Sequence, residues 1–301
     1  MSAPTFVPCP APGDPADSEV CASSAWKQLR GALGSGPALA ATLILLLVAV
    51  AAVFAPWLGT TDPVAINPGE RLATLSAEHW LGTDAFGRDS YSRILYGARV
   101  SLIVGLGATF ASILGGLAIG VIAGYFRAAD AIIMRIMDGI MAIPSILLAI
   151  ALVSLTGGSL GTVLIAITIP EVPRVVRLVR SVILTVRSEP YVEAAISLGT
   201  RIPRLLVRHM VPNTLAPLIV QGTYIFASAI LTEATLSFLG AGLPPEIPSW
   251  GNMMSDGRMY FQLKPTLILY PGIILALTLL SVNMLGDVLR DTLDPRMAKK
   301  A

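Results

Sequence analysis

The chain has 301 residues, of which 54% are hydrophobic and 13% charged, and its formal net charge is +2. A soluble domain is about 45–50% apolar and about 25% charged, so one globule cannot hide this apolar surface and lipid must solvate part of it. A charge so near balance, with no basic patch interleaved with aromatics, is too small to suggest nucleic acid, and no such partner is expected.

Residues 1–36 read as a Pro/Ala/Asp-rich tail, expected to be flexible and cytoplasmic. Cys9 and Cys21 lie in it without metal-ligand spacing or companion histidines, so neither zinc nor a structural disulfide is expected. A membrane-crossing helix needs about 20 mostly apolar residues, and Pro37–Leu58 is the first candidate. Small residues in Ala49–Ala55 have cleavage-like spacing, yet the run is too long for a signal-peptide core and follows a long tail, so it reads as an uncleaved span. The outer segment Gly59–Arg99 carries the turn signals Asp62-Pro63 and Asn67-Pro68-Gly69.

Val100–Phe126 is the second span, and Gly116, Gly120 and Gly124 at four-residue spacing predict close approach of another helix. Ile132–Leu155 is the third, with Asp138 expected to pair locally with Arg135. The fourth, Gly161–Val176, is short, and Pro170 and Pro173 predict a kink. Arg174, Arg177 and Arg180 recur every third residue as in a voltage sensor, but only Glu171 offers an adjacent countercharge, which argues against sensing.

The connection Ser188–Asn213 reads as structured. Pro190 suits the first turn of a short helix, Glu193 favours the positive end of its dipole, and Gly199 can terminate it. Thr200 is expected to cap a second helix, Arg201–Met210, with Arg201, Arg204 and Arg208 on one arc and Ile202, Leu206 and Met210 opposite. Two readings stay open: an amphipathic stretch on the headgroups, or a helix–Gly–helix knuckle presented to a cytosolic partner.

Leu215–Leu239 and Thr266–Gly286 complete six spans. A charge at the bilayer centre costs about 2.5–3.5 kcal/mol, so Glu233 in the fifth needs a reason. It either lines a substrate path or is a structural carboxyl bonded to a neighbouring helix. Gln221 and Asn283 are expected to join helices. The outer segment Gly240–Lys264 contains Trp250, which with Trp57 and Trp80 fits an interfacial anchor. Lys27, Arg30, Arg127, Arg135, the arginines from Arg174 to Arg208, and Arg290, Arg296, Lys299 and Lys300 fall on one side, so the positive-inside rule places both termini in the cytoplasm. No Gly-rich phosphate loop, paired His/Glu zinc motif or plausible Ser–His couple is present, so ATP hydrolysis by this chain alone is not expected.

Glu193-Ala194-Ala195, with Gly199 four residues on and Pro212 closing the loop, resembles the EAA signature of binding-protein-dependent ABC importer permeases. His79-Trp80-Leu81-Gly82-Thr83-Asp84, with Gly87-Arg88-Asp89 and Ser92-Arg93, is similar to the segment before the second span of C-type dipeptide and oligopeptide permeases. Leu236–Gly240 with Pro248–Gly251, and Leu285-Gly286-Asp287 with Leu289-Arg290-Asp291 and Leu293-Asp294-Pro295, resemble their fifth span and C-terminus. The likeness covers roughly Lys27–Met297; His209-Met210-Val211-Pro212 departs from the commoner Ile/Leu-Pro ending.

The resemblance implies an all-α, six-span type I ABC importer permease of MetI-like fold in a bacterial inner membrane. Residues 37–99 would hold the first span and outer segment, 100–290 the permease core with its coupling loop 188–213, and 291–301 a cytoplasmic tail. Glu193, Ala194, Ala195, Gly199 and Pro212 would form the foot that an ATPase groove receives, the two alanines allowing close approach. It also implies a homologous B-type permease, two ATP-binding subunits, an extracytoplasmic solute-binding protein, and ATP and magnesium on the partner subunits, with no cofactor in this chain. Dipeptides, oligopeptides, glutathione or nickel chelates would be the cargo. An ion-coupled transporter using Glu233 would instead show inverted internal repeats, which the sequence lacks; a non-transporting scaffold is the third possibility.

Overall fold

The computed structural model describes residues 36–293; the tail with Cys9 and Cys21, and Arg296, Lys299 and Lys300, lie outside the described residues. Among the described residues every regular element is helical. The helices are α1 (Gly36–Phe54), α2 (Ser90–Tyr125), α3 (Arg127–Met141), α4 (Ser145–Thr156), α5 (Leu160–Arg187), α6 (Pro190–Ser197), α7 (Ile202–Leu205), α8 (Leu215–Phe238), α9 (Trp250–Arg258) and α10 (Thr266–Leu293). A π turn, Leu206–Met210, and a 3-10 turn, Val211–Thr214, carry α7 into α8.

Four helical stretches are long and apolar enough to cross a membrane: Gly36–Trp57, Ser90–Tyr125, Ile202–Phe238 and Thr266–Thr292. Helices α3 and α4 qualify only as a pair, bent by 86°. The expected single span Ile132–Leu155 is therefore broken. Pro144 supplies no backbone donor and disfavours helical geometry at Ile143, so the chain turns at Ala142–Pro144. Before the break, α3 carries Arg127, Asp130, Arg135 and Asp138; after it, α4 has no charged residue. Helix α5 is long enough at 28 residues, but it carries Glu171, Arg174, Arg177 and Arg180. It runs through Pro170 and Pro173 to Arg187 as one helix, where the expected span ended at Val176.

Lipid-facing helices invert the soluble pattern. Helix α1 buries Ala38, Ala41, Val48 and Ala52 and exposes Leu39, Leu43, Leu46 and Leu47. Hydrocarbon solvates leucine as well as a protein core does, so small residues that let backbones approach occupy the contact face. The same logic governs α2 against α5. A Cβ on Gly116, Gly120 or Gly124 would lie 2.4, 2.7 or 2.7 Å from the Cβ of Val175, Val179 or Ile183. The predicted close approach is met.

Helix α2 starts ten residues before the expected Val100, because Asp89 caps it by accepting from the Ser92 amide at 2.8 Å. The turn signals upstream are met too: the Asn67 side chain accepts from the Gly69 amide, and Asp62 from that of Val64. This outer segment folds onto the helix ends. Gly87, at φ +77°, sits where a Cβ would be 1.8 Å from the Asn67 carbonyl oxygen, so only glycine fits. The Arg88 Nε donates to Asp84 at 2.6 Å and its Nη2 to Asp256 at 2.6 Å, while Arg93, 1% exposed, donates to Asp84 at 2.9 Å. Lys264 Nζ donates to the Thr83 carbonyl at 2.9 Å and also to that of Ala73. Buried charge is tolerated here because each guanidinium meets a carboxylate. Trp57 and Trp80 are exposed, as anchors would be, but Trp250 is fully buried over Gly97 and donates to the Ile94 carbonyl at 3.1 Å. That tryptophan is core, not anchor.

Candidate functional site

Helix α6 and the turn after it form a stiff knuckle at one end of the bundle. Pro190 and Glu193 lie in its first turn, as the sequence predicts. At its other end the Thr200 amide donates to the Ala195 carbonyl at 3.1 Å and the Gly199 amide to that of Ile196 at 2.9 Å. This is a Schellman closure, and Gly199 at φ +77° takes the left-handed position it demands. Thr200 does not cap the next helix: α7 begins at Ile202, so the cap position falls to Arg201, which makes no side-chain cap hydrogen bond, and Pro203 sits in the first turn. Beyond it, Leu205 and Met210 are buried five residues apart, the spacing a π turn brings to one side, whereas Ile202 is exposed rather than turned inward. Arg201, Arg204 and Arg208 face out as expected.

The EAA residues divide between two faces. Glu193 and Ala194 are exposed, but Ala195 is only 9% exposed and packs in the cluster of Val192, Leu205 and Met210. Ala195 thus holds α6 to its own subunit. The outward face carries Tyr191, Ile196, Ile202, Val207 and Leu198, the last 87% exposed. An apolar set of this kind fits either of the two readings left open, contact with a partner or contact with the headgroups. Pro212 lies exposed in the 3-10 turn. Beside it, Asn213 Nδ2 donates to the Tyr191 hydroxyl at 3.2 Å and to the His209 carbonyl at 2.7 Å, tying the end of the loop to its start. Residues 22 apart give no periodic signal, so sequence reasoning missed this pair. Glu193 also borders a cleft of about 350 Å3 with Arg127, Asp130, Arg187 and Ser188.

The arginines of α5 brace the region. Arg174 reaches Glu171 at 3.3 Å, Arg177 reaches Asp138 at 2.6 Å, and Arg180 grips both oxygens of Asp130 at 2.5 and 2.7 Å. Asp138 therefore pairs with α5 and not with Arg135, because α3 lies across that helix. Two countercharges hidden from sequence reasoning make the run an interhelical fastening. Arg177 and Asp138 are about half exposed, so that pair contributes at most ~1 kcal/mol.

Glu233 is 0% exposed, accepting from the Ser237 hydroxyl at 2.9 Å and the Ser101 hydroxyl at 3.5 Å. Gln221 and Asn283 do not simply join helices; they line a cleft of about 550 Å3 with Thr223, Tyr224, Asp287 and Arg290.

Residues 116–299 match the family model described as binding-protein-dependent transport system inner membrane component. The chain is 55% identical over 239 residues to a probable peptide ABC transporter permease of Sinorhizobium fredii, covering 79% of this chain and 82% of the relative. It is 45% identical over 285 residues to a dipeptide transport system permease of Alkalihalophilus pseudofirmus, covering 94% of each. A glutathione transport system permease of Pectobacterium atrosepticum is 38% identical over 275 residues, covering 90% and 91%. Among solved structures, an inward-facing MetNI methionine ABC transporter chain superposes with a TM-score of 0.55 at 18% identity, covering 66% of this chain and 95% of that one. The fold is thus MetI-like, as the motifs imply.

Proposed function

The chain belongs to the binding-protein-dependent transport system inner membrane components, within their peptide ABC permeases, and from that premise we propose that it is the C-type permease of an ATP-driven importer of dipeptides or oligopeptides, or of a related solute such as glutathione or a nickel chelate. The chain is a multi-pass transport subunit of the inner membrane. Our reading adds a homologous B-type permease, two ATP-binding subunits that carry the ATP and magnesium, and an extracytoplasmic binding protein that delivers cargo. This chain contributes no ATPase site or cofactor, and both termini and the knuckle face the cytoplasm.

The observation that carries the mechanism is the closed, braced knuckle with Leu198 standing out of it. A flexible loop would absorb a partner's movement; a short helix closed by Gly199 and tied through Asn213 passes it on. Closure of the ATPases on ATP would push α6, and its packing through Val192 and Ala195 against Leu205 and Met210 would carry the push into α5 and α8. The spans would then open outward, and hydrolysis would return them inward. Glu193, Ala194 and Leu198 make the contact; Ala195 and Gly199 give it stiffness; Pro212 closes the loop. Glu233, enclosed by serines, supports a structural role over an ion-coupling one.

The test is uptake of dialanine by proteoliposomes holding the permease pair, the ATPases and the binding protein. Glu193→Lys and Gly199→Pro should each abolish uptake and peptide-stimulated ATP hydrolysis while the subunit still inserts. Uptake at the normal rate by both variants, or by liposomes lacking the ATPases, contradicts the reading.

A further inference from the structure

The cleft between α8 and α10 has consequences beyond the knuckle. It is lined from α8 by Gln221 and Tyr224, and from α10 by Asn283, Asp287 and Arg290, where the helices cross at Thr223 against Gly286. Asn283, Asp287 and Arg290 lie on one helical stripe and are exposed on the subunit, Asn283 inside the expected span and Asp287 and Arg290 just past its end at Gly286. Polar and charged groups at such positions do not face hydrocarbon; they line water, a partner or a solute. The cleft opens at the same end of the bundle as the knuckle, since α8 follows the knuckle directly and α10 runs antiparallel beside it. Its volume of about 550 Å3 lies in the range of small-molecule sites, roughly 300–1,000 Å3.

We propose that this cleft is a binding station for a zwitterionic peptide leaving toward the cytoplasm, with Asp287 taking the terminal ammonium, Arg290 the terminal carboxylate, and Gln221 and Asn283 the peptide amide. Asp287 and Arg290, three apart on one helix, are neighbours on its surface, and two extended residues reach at most about 7 Å, so a dipeptide is short enough to present one end to each. Tyr224 is held at the cleft by Arg174, whose Nη1 lies 3.4 Å from its hydroxyl. An opposed pair of charges offers a zwitterion two contacts and an end-blocked peptide neither. This station rests on the transport reading above.

The test uses the full transporter with Cys9→Ser and Cys21→Ser, carrying Ala216→Cys in the cleft wall, where none of the proposed peptide contacts is made. Uptake of dialanine is measured in cells, and modification of the new thiol by a charged methanethiosulfonate in inside-out vesicles from them. The thiol should react, and dialanine at ten times its Kd should slow the reaction about ten-fold. N-acetyl-dialanine amide should not slow it, and Asp287→Asn should remove the protection by dialanine. Cells that take up dialanine while the thiol is unreactive, covered by a partner subunit or the chain's own C-terminal end, would overturn the station alone. So would a thiol equally reactive with and without dialanine, or equal protection by the blocked peptide. Cells taking up no peptide at all would overturn the transport reading, and the station with it.

Discussion

His79 shows how much a single side chain organises outside the membrane. Its Nδ1 lies 3.0 Å from Asp89 and its Nε2 3.1 Å from Glu70, so the imidazolium, with two N–H donors, is the form that satisfies both carboxylates. The hydrogen bond to Asp89 holds its pKa above the ordinary value, with Glu70 adding to the effect and burial opposing it. A raised folded pKa means the contribution is complete below the ordinary imidazole value, about 6.5, and is lost as pH rises through the raised one. Hydrogen exchange across residues 66–89 should therefore be slower in mild acid than in mild alkali, after correction for the intrinsic rate, and His79→Gln should remove the difference. Identical corrected protection at both pH values in the unaltered protein would refute this clasp. Gly199 and Gly87 are the converse case, since each is required for having no side chain. The sequence marks both, but only the fold distinguishes a helix closure at one from contact with the Asn67 carbonyl at the other.

Between elements, glycine spacing carries most of the information. The stripe on α2 predicted a close neighbour, and α5 is that neighbour, with Val179 set against Gly120. Gly120→Ala should lower the melting temperature in detergent, because overpacking costs about 1–3 kcal/mol against a helix-propensity gain of about 1 kcal/mol. Gly139→Ala, where nothing lies within 4 Å of the new Cβ, isolates the propensity term and should leave the melting temperature unchanged or higher. Equal effects of the two substitutions would show that the α2–α5 contact is looser than described. Hydropathy located α1, α8 and the start of α10 closely but misplaced the start of α2, where buried Arg93 is neutralised by Asp84 and by Asp256 from distant sequence. It also joined α3 to α4 across Pro144, since an apolar count does not register a backbone turn of 86°. The pairing of Asp130 and Asp138 with α5 was invisible for the same reason: a local i,i+3 rule sees Arg135 and not a crossing helix.

At the scale of the whole molecule, the motifs gave the family, and the fold explains why they are scattered along the chain. The motif before α2 is joined to α9 in a single ion-paired assembly through Asp84, Arg88, Arg93 and Asp256, while the EAA segment lies at the cytoplasmic end in our reading. The foot was legible as a helix–Gly–helix unit; which of its residues face outward was not, because the π turn at Leu206–Met210 breaks the register that would group Ile202 with Leu206 and Met210. The division of labour between Ala194 and Ala195 likewise needs packing to be seen. Contact between the knuckle and an ATPase is read most directly by a Leu198→Cys crosslink in the assembled transporter, with Cys9 and Cys21 replaced by serine. A short bifunctional maleimide should join Leu198→Cys to an ATPase subunit, with a yield that changes when ATP is bound, and an impermeant thiol reagent outside intact cells should not reach it. Labelling from the outer face, or no ATPase captured in an actively transporting complex, would contradict the account.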